Sequence, residues 1–591
     1  MGEPNAAKRA SVRRLLAAVA AIGAGAVFAA ASCAGRARAP GAEGASKEAS
    51  VAGEASGAGA AKAAGGEGAA KAAGGEGAAK AAGGEGAAKA AGAPAAGGAA
   101  TGAALAGEGS AKTLAGEGSA KTPADEGAAD AAGPRALGLS YPTWVYPAPA
   151  RTPGPFGAVR PGTFVALLSP EPRAGKGGCR GGWLAVSPAG FLCNDDHVSL
   201  DPAHPLGAAG VGELVAPLRE GVLPYRYAFS RRAPVYGRVP TPAEQERVEG
   251  PEERRPRARK PTKGGFGGHD ELTVDEEIAA EAEVPAALAG GRPLPTPQGP
   301  APLVRKWVPE GSTVAFSRAF RAEGRTWLVS TDFGLVPADR VVSYRTSDFG
   351  GVKLGGEARL PRAWARRHAR PFYRREAGGW VPTGERLAAR ASVALTGDRV
   401  EAPKGAYWKV EGPGETYLFE GEVAVARLRP PPGGTGPDEK WIDIRLRDGT
   451  LVAYEGATPV YATMVSGGAG GAGGPDDTDH DLVLKSATPV GAYRVSWKIG
   501  ASRMSPEPGE PERFWLAEVP YTLYFRPPFA IHTAYWHEDF GSPKSAGCVN
   551  VSPADGKFLF GWVDPPLPKG GWQGVGPGKA TGLGTRIVIA P

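Results

Sequence analysis

Reactive side chains are scarce in this chain. Its 591 residues include four cysteines, three methionines and seven histidines. Cysteines so few and so scattered exclude a cysteine-built zinc centre. No glycine-rich loop stands before a helix in the spacing that cradles phosphate, and no basic–aromatic alternation marks a base reader. Nucleotide and nucleic-acid chemistry are therefore not expected. The net charge is only +7, which suits an anionic neighbourhood without specifying one. Beyond one segment near the start, no stretch reaches the ~18 apolar residues of a spanning helix. The run "DDTDHD" (476–481) imitates a ligand set, but it reads as a solvated loop, and no metal or cofactor is expected.

Glycine and proline, by contrast, are abundant, at 91 and 57 residues. Much of the glycine lies in 34–134, where "GGEGAAKAA" occurs three times and "LAGEGSAKT" twice. These nonapeptides carry almost no large apolar group, so they cannot offset an ordering cost of ~1–2 kcal/mol per residue. A disordered tether is expected there. Before it, Lys8, Arg9, Arg13 and Arg14 precede an apolar run that ends "AAASCAG". This reads as a secretory signal over 1–33. It resembles a bacterial lipoprotein cleavage box, although Ala30 stands where leucine is usual. The expectation is an exported protein on the periplasmic face, lipid-anchored to a bacterial membrane through Cys33.

Residues 135–215 hold short β-rich runs, "TFVALL", "GWLAV" and "GFLC", between Gly/Pro turns. They resemble the Src-homology-3-like barrels found beside cell-wall enzymes. Cys179 and Cys193 flank one run and, in an exported protein, are expected to pair. With Cys33 assigned to lipid, Cys548 is left over as a thiol with a use. Residues 216–310 read as a partly ordered linker. They include the basic "EERRPRARKPTK" (252–263) and an acidic stretch after it. A second barrel-like unit is expected at 311–385 and a third at 386–436.

From 437 the pattern sharpens. In "EKWIDIRLRDGTLVAYEG", Trp441, Ile442, Ile444 and Leu446 are set among Asp443, Arg445 and Arg447. Period two means a half-buried strand, and "RDGT" supplies a hairpin turn. Further strands are expected at 458–468, 487–500 and 518–537, a short helix at 554–563 and a closing strand "TRIVIAP". The fold class expected for the chain is mostly β. Near its end, "IHTAYWHEDFGSPKSAGCVNV" sets His532 sixteen residues before Cys548. A thiol with an ordinary pKa near 8.5 is a few per cent ionised at neutral pH; a histidine in reach takes its proton and returns it to a leaving amine. Gly547 allows a tight turn before Cys548, and N–H groups over 546–548 can face an oxyanion.

Together these features resemble the L,D-transpeptidase catalytic domain, the YkuD-like family of bacterial peptidoglycan enzymes, over 437–591. The family pairs a histidine with a downstream Ser/Thr-His-Gly-Cys segment ending in Arg or Asn two residues later. Here His532 precedes Ser545, Gly547, Cys548 and Asn550. The resemblance implies a β-sandwich with Cys548 as nucleophile, His532 as base and acid, and Thr533 orienting His532. Ser545 would hold the loop and Asn550 would orient it or a substrate carboxylate. His537, Tyr521, Tyr524 and Trp536 are candidates for the substrate groove, the aromatics equally for the core. Ala546 departs from the family, which has histidine there, and puts full activity in doubt. The implied reaction joins peptidoglycan stem peptides through a cysteine acyl-enzyme. A second stem, a protein lysine or water would be the acceptor. Carbapenem sensitivity and a monomeric state are expected. The rival reading is a non-catalytic wall-binding lipoprotein with a degenerate domain; a generic thiol protease is a third.

Overall fold

The computed structural model describes residues 133–591 apart from 196, 209, 256, 260, 262–268, 282, 297–298 and 505–514. The signal segment, Cys33 and the repeat tract up to 132 lie outside the described residues. The regular secondary structure of the described residues is mostly strand. No helix among the described residues is long and apolar enough to cross a membrane.

The C-terminal part is built on two sheets. In the first, Lys440–Arg445 pairs antiparallel with Thr450–Glu455 and parallel with Arg586–Ala590. The alternation seen in the sequence puts Ile442 and Ile444 into a core with Leu451, Ile587 and Ile589. The expected hairpin and closing strand are both present. The region expected as one strand over 487–500 is divided. Gly491–Arg494 joins this first sheet, whereas Trp497–Met504 joins the second. Likewise 518–537 forms two antiparallel strands, Leu516–Arg526 and Phe529–Thr533, turning at Pro527 and Pro528. Period two cannot show where a chain changes sheets, because both halves alternate alike.

The second sheet runs beyond this region. Its nine strands pass from Val549–Val551 through Phe529–Thr533, Leu516–Arg526, Trp497–Met504 and Trp572–Val575 into Gly157–Val159 and its neighbours. The N-terminal unit is thus continuous in hydrogen bonding with the C-terminal sheet. Cys179 and Cys193 in that unit are joined, with Cα atoms 5.5 Å apart.

Between these lie two more sheets. One has eight strands, from Arg226–Ser230 and Ala233–Tyr236 to Thr313–Ala322 and Val341–Tyr344. The segment read as a linker over 216–310 therefore contributes strands to the unit that follows it. The other has seven strands, all within 362–426, in which Arg370–Glu376 and Gly379–Leu387 belong with Ser392–Ala402 and Tyr417–Phe419. Sheet membership changes near 345–361 rather than at 385, since pairing partners decide it and local composition does not.

The helix Pro553–Trp562 follows Val549–Val551, an edge strand of the second sheet. Ser552 caps it by accepting from the Asp555 N–H at 3.2 Å, and Pro553 occupies the first turn. Both choices suit a helix start. Asp555 is fully buried and fully engaged. It accepts from Tyr461 Oη at 2.7 Å, Thr463 Oγ1 at 2.6 Å and the Gly351 N–H at 2.6 Å. The helix is thereby tied to the first sheet and to the chain entering from the middle units.

Candidate active site

Phe529–Thr533 and Val549–Val551 run parallel and adjacent, with Ile531 opposite Val549 and His532 opposite Asn550. Ile531, Val549 and Val551 enter one core, while Ala530, Ala534 and Cys548 enter the other. Side chains alternate along a strand. His532, Asn550 and Cys548 therefore share one face, with Cys548 one residue ahead of its strand. All three are buried, Cys548 and His532 completely.

A directed chain of hydrogen bonds runs through the two histidines. The Asp539 backbone N–H can only donate, and it meets His537 Nδ1 at 3.2 Å. The His537 proton therefore sits on Nε2, which donates to Asn550 Oδ1 at 3.0 Å. That turns the Asn550 amide nitrogen to His532 Nε2 at 3.2 Å. The Nε2 atom of His532 must accept, so its proton is on Nδ1, 3.2 Å from the Thr533 carbonyl oxygen. Each neutral ring offers one donor and one acceptor, and the chain uses them without conflict. Burial lowers the pKa of His532 to about 4, against a smaller upward effect of the Thr533 carbonyl. Burial, with the Lys544 charge second, lowers His537 to about 4 as well. Both rings are neutral near pH 7, and a neutral imidazole is what a base requires.

The loop before Cys548 is fastened at several points. Lys544 and Ser545 both donate backbone N–H groups to the Gly467 carbonyl, at 2.8 and 3.0 Å, and the Ala469 N–H donates to Ser545. Ser545 Oγ donates to the Cys548 carbonyl and accepts the Gly547 N–H at 3.1 Å. Gly547 has φ +128°, where an added Cβ would lie 2.6 Å from the Phe529 ring and 2.8 Å from the Ala487 carbonyl. Only glycine fits both demands. Ala546 is buried where the resembled family has a histidine.

Cys548 itself differs from the expectation. The sequence leaves it as an unpaired thiol, but it is disulfide-bonded in this structure, and no described cysteine is free. Counting cysteines assigns partners only by elimination and carries no spatial information. Its sulfur lies 4.0 Å from the Pro528 carbonyl oxygen.

Thr533 meets His532 through its backbone carbonyl, while its hydroxyl is buried with no hydrogen-bond partner. Trp536 is buried beside His532, with ring centres 6.0 Å apart. Tyr524 is buried and bonded through its hydroxyl to Ser502 at 3.1 Å. Tyr521 is half-buried against the helix Pro553–Trp562, its ring centre 5.6 Å from that of Phe560. His537 is enclosed in the chain described above rather than set on a surface. The acidic run 476–481 opens a helix: Asp481 and Thr478 form a reciprocal cap, Asp477 pairs with Lys485 at 2.5 Å and Asp479 with Arg526 at 2.8 Å.

The sequence does not reveal the charged belt that holds residues 538–544. Arg345 grips Glu538 with two bonds, of 3.1 and 2.7 Å, and Arg390 adds a third contact at 3.4 Å. Arg367 and Lys544 meet Asp539 at 2.5 and 2.6 Å, and both also reach Glu271. The arginines lie between 148 and 193 residues from Glu538 and Asp539. No local pattern announces such partners.

Several solved structures resemble this one. An L,D-transpeptidase from Xylanimonas cellulosilytica is 23% identical, over 27% of this chain and 64% of that chain, with a TM-score of 0.19. An L,D-transpeptidase from Mycobacterium smegmatis is 14% identical, over 34% of this chain and 82% of that one, at 0.19. L,D-transpeptidase 3 from Mycobacterium tuberculosis is 15% identical, over 34% and 79%, at 0.19. No curated protein matches the chain. Residues 439–589 match the YkuD family, described as the L,D-transpeptidase catalytic domain.

Proposed function

We propose that the reduced form of this protein is a cysteine-dependent L,D-transpeptidase acting on peptidoglycan stem peptides. The observation that carries this reading is the common face of His532, Asn550 and Cys548 within a region that matches the L,D-transpeptidase catalytic domain. With the disulfide reduced and the Asn550 amide withdrawn from His532 Nε2, that atom takes the thiol proton while Nδ1–H stays on the Thr533 carbonyl. The thiolate attacks the carbonyl carbon after the third stem residue. The C–N bond to the terminal D-alanine breaks, and His532 returns its proton to the leaving amine. The thioester then passes to an acceptor: an amine of a neighbouring stem, a protein lysine, or water. The Gly547 N–H is committed to Ser545, so the backbone N–H groups of Ala546 and Cys548 are the candidates to meet the oxyanion. Export and lipid anchoring at Cys33, with the repeat tract as tether, belong to the same proposal.

The rival reading is a wall-binding lipoprotein without catalysis. Ala546 favours it. Intact-mass spectrometry of the full chain separates the two, with and without a mild thiol reductant, after incubation with a tetrapeptide stem or a carbapenem. The enzyme predicts an adduct that needs the reductant and is lost in Cys548→Ala. A folded, reduced protein that never acquires an adduct selects the binder.

A further inference from the structure

A cavity of about 380 Å³ lies where the N-terminal unit meets the strand Trp572–Val575 and the helix Pro553–Trp562. Arg160, Arg219 and Lys557 line it, with no Asp or Glu among the described lining residues. It therefore favours an anion. Two of its polar groups are unsatisfied: Arg160 Nη1 and Gln573 Oε1 are both buried without a hydrogen-bond partner. Gln573 is 8% exposed, and its amide nitrogen is already committed to the Ala501 carbonyl at 3.2 Å. The acceptor end is what remains. Arg160 lies over the Tyr225 ring at 5.4 Å, which orients its guanidinium. Lys557 is held by the Gly221 carbonyl at 2.6 Å. Tyr225, Tyr521 and Trp572 supply aromatic wall. Tyr521 has φ +53°, a conformation that bulky residues rarely adopt and that persists only where the surroundings enforce it.

We propose that this cavity binds the carboxylate end of a peptide. A planar guanidinium matches a carboxylate bidentately. An amide oxygen beside it accepts the N–H of the ligand's last peptide bond, and the aromatic wall takes the terminal side chain. Inorganic phosphate fits less well, because Gln573 Oε1 would face another acceptor oxygen. The volume is near the lower end for ligand pockets, ~300–1,000 Å³, which suits the last residues of a chain and no more. Two sources carry this chemistry: a wall stem peptide ending in a D-residue and the all-L tail of a protein. The site uses neither Cys548 nor His532, so it stands whether or not the proposed acyl-enzyme forms.

The test uses the full chain carrying Cys548→Ala and a photoreactive N-acetyl dipeptide acid, with cross-links mapped by peptide mass spectrometry. Labelling is expected on peptides containing Tyr225 or Trp572. The unlabelled acid should compete at least tenfold better than its carboxamide. Arg160→Gln and Gln573→Glu, each checked for an unchanged melting temperature, should cut labelling at least tenfold. Competitors ending in a D- or an L-residue identify the source. Labels mapping outside the cavity, equal competition by acid and amide, or undiminished labelling of both folded variants overturn the proposal.

Discussion

The side-chain oxygen of Asn550 accepts the Nε2–H of His537 at 3.0 Å. This contact decides which end of the amide faces His532, and hence which nitrogen of His532 carries the proton. Asn550→Ala should lower the rate of acylation by roughly tenfold to a hundredfold, because the His532 ring loses its lock. His537→Ala should produce a smaller loss, and His537→Gln, which keeps a donor toward Asn550, should recover part of it. Stopped-flow acylation by a carbapenem measures the rates. Nitrogen NMR of the His532 ring should report the tautomer independently of activity.

Stability should fall in mild acid. Folded, His532 and His537 titrate near 4, whereas an unfolded histidine titrates near 6.5. Between those values the unfolded chain binds protons that the folded chain refuses. Unfolding free energy therefore rises with pH across this window and is lost on the way down, by on the order of 3 kcal/mol per ring. Melting temperature measured from pH 7 to pH 4 checks the sign. A shallower slope is expected for His537→Gln.

Gly547→Ala should damage both folding and acylation. The new Cβ would collide with the Phe529 ring and the Ala487 carbonyl, at a left-handed φ. Roughly 1–3 kcal/mol of destabilisation is expected, read from denaturant midpoints. A variant that melts like the parent would show that the loop before Cys548 is laxer than described.

Arg345→Ala should cost about 1–3 kcal/mol. It strips Glu538, which is 4% exposed, of its two-bond partner and leaves it the longer contact with Arg390. Glu538→Gln in the same background should recover some of the loss, because the uncompensated charge is then gone. Thermal unfolding of the single and double variants tests this.

Replacing Cys179 and Cys193 together by serine should destabilise the N-terminal unit by about 3 kcal/mol, the entropy released when a loop of this separation, 14 residues, is opened. Because that unit shares a sheet with the C-terminal strands, the loss should also show as faster proteolysis beyond residue 572.

The sequence alone carries the hairpin at 440–455, the helix after Ser552, the pairing of Cys179 with Cys193, and the nomination of His532, Gly547 and Cys548. These are legible because they rest on local chemistry such as a period of two, two close cysteines, or a histidine ahead of Gly-Cys. The tertiary structure decides which chain segments share a sheet, the grip of Arg345 and Arg367 on the loop, and the bridge from His537 through Asn550 to His532. It also decides that Cys548 is disulfide-bonded here. Those relationships join groups that the chain separates by thirteen to more than four hundred residues. Hydrogen bonds and ion pairs depend on position in space, and no periodicity along the backbone encodes them.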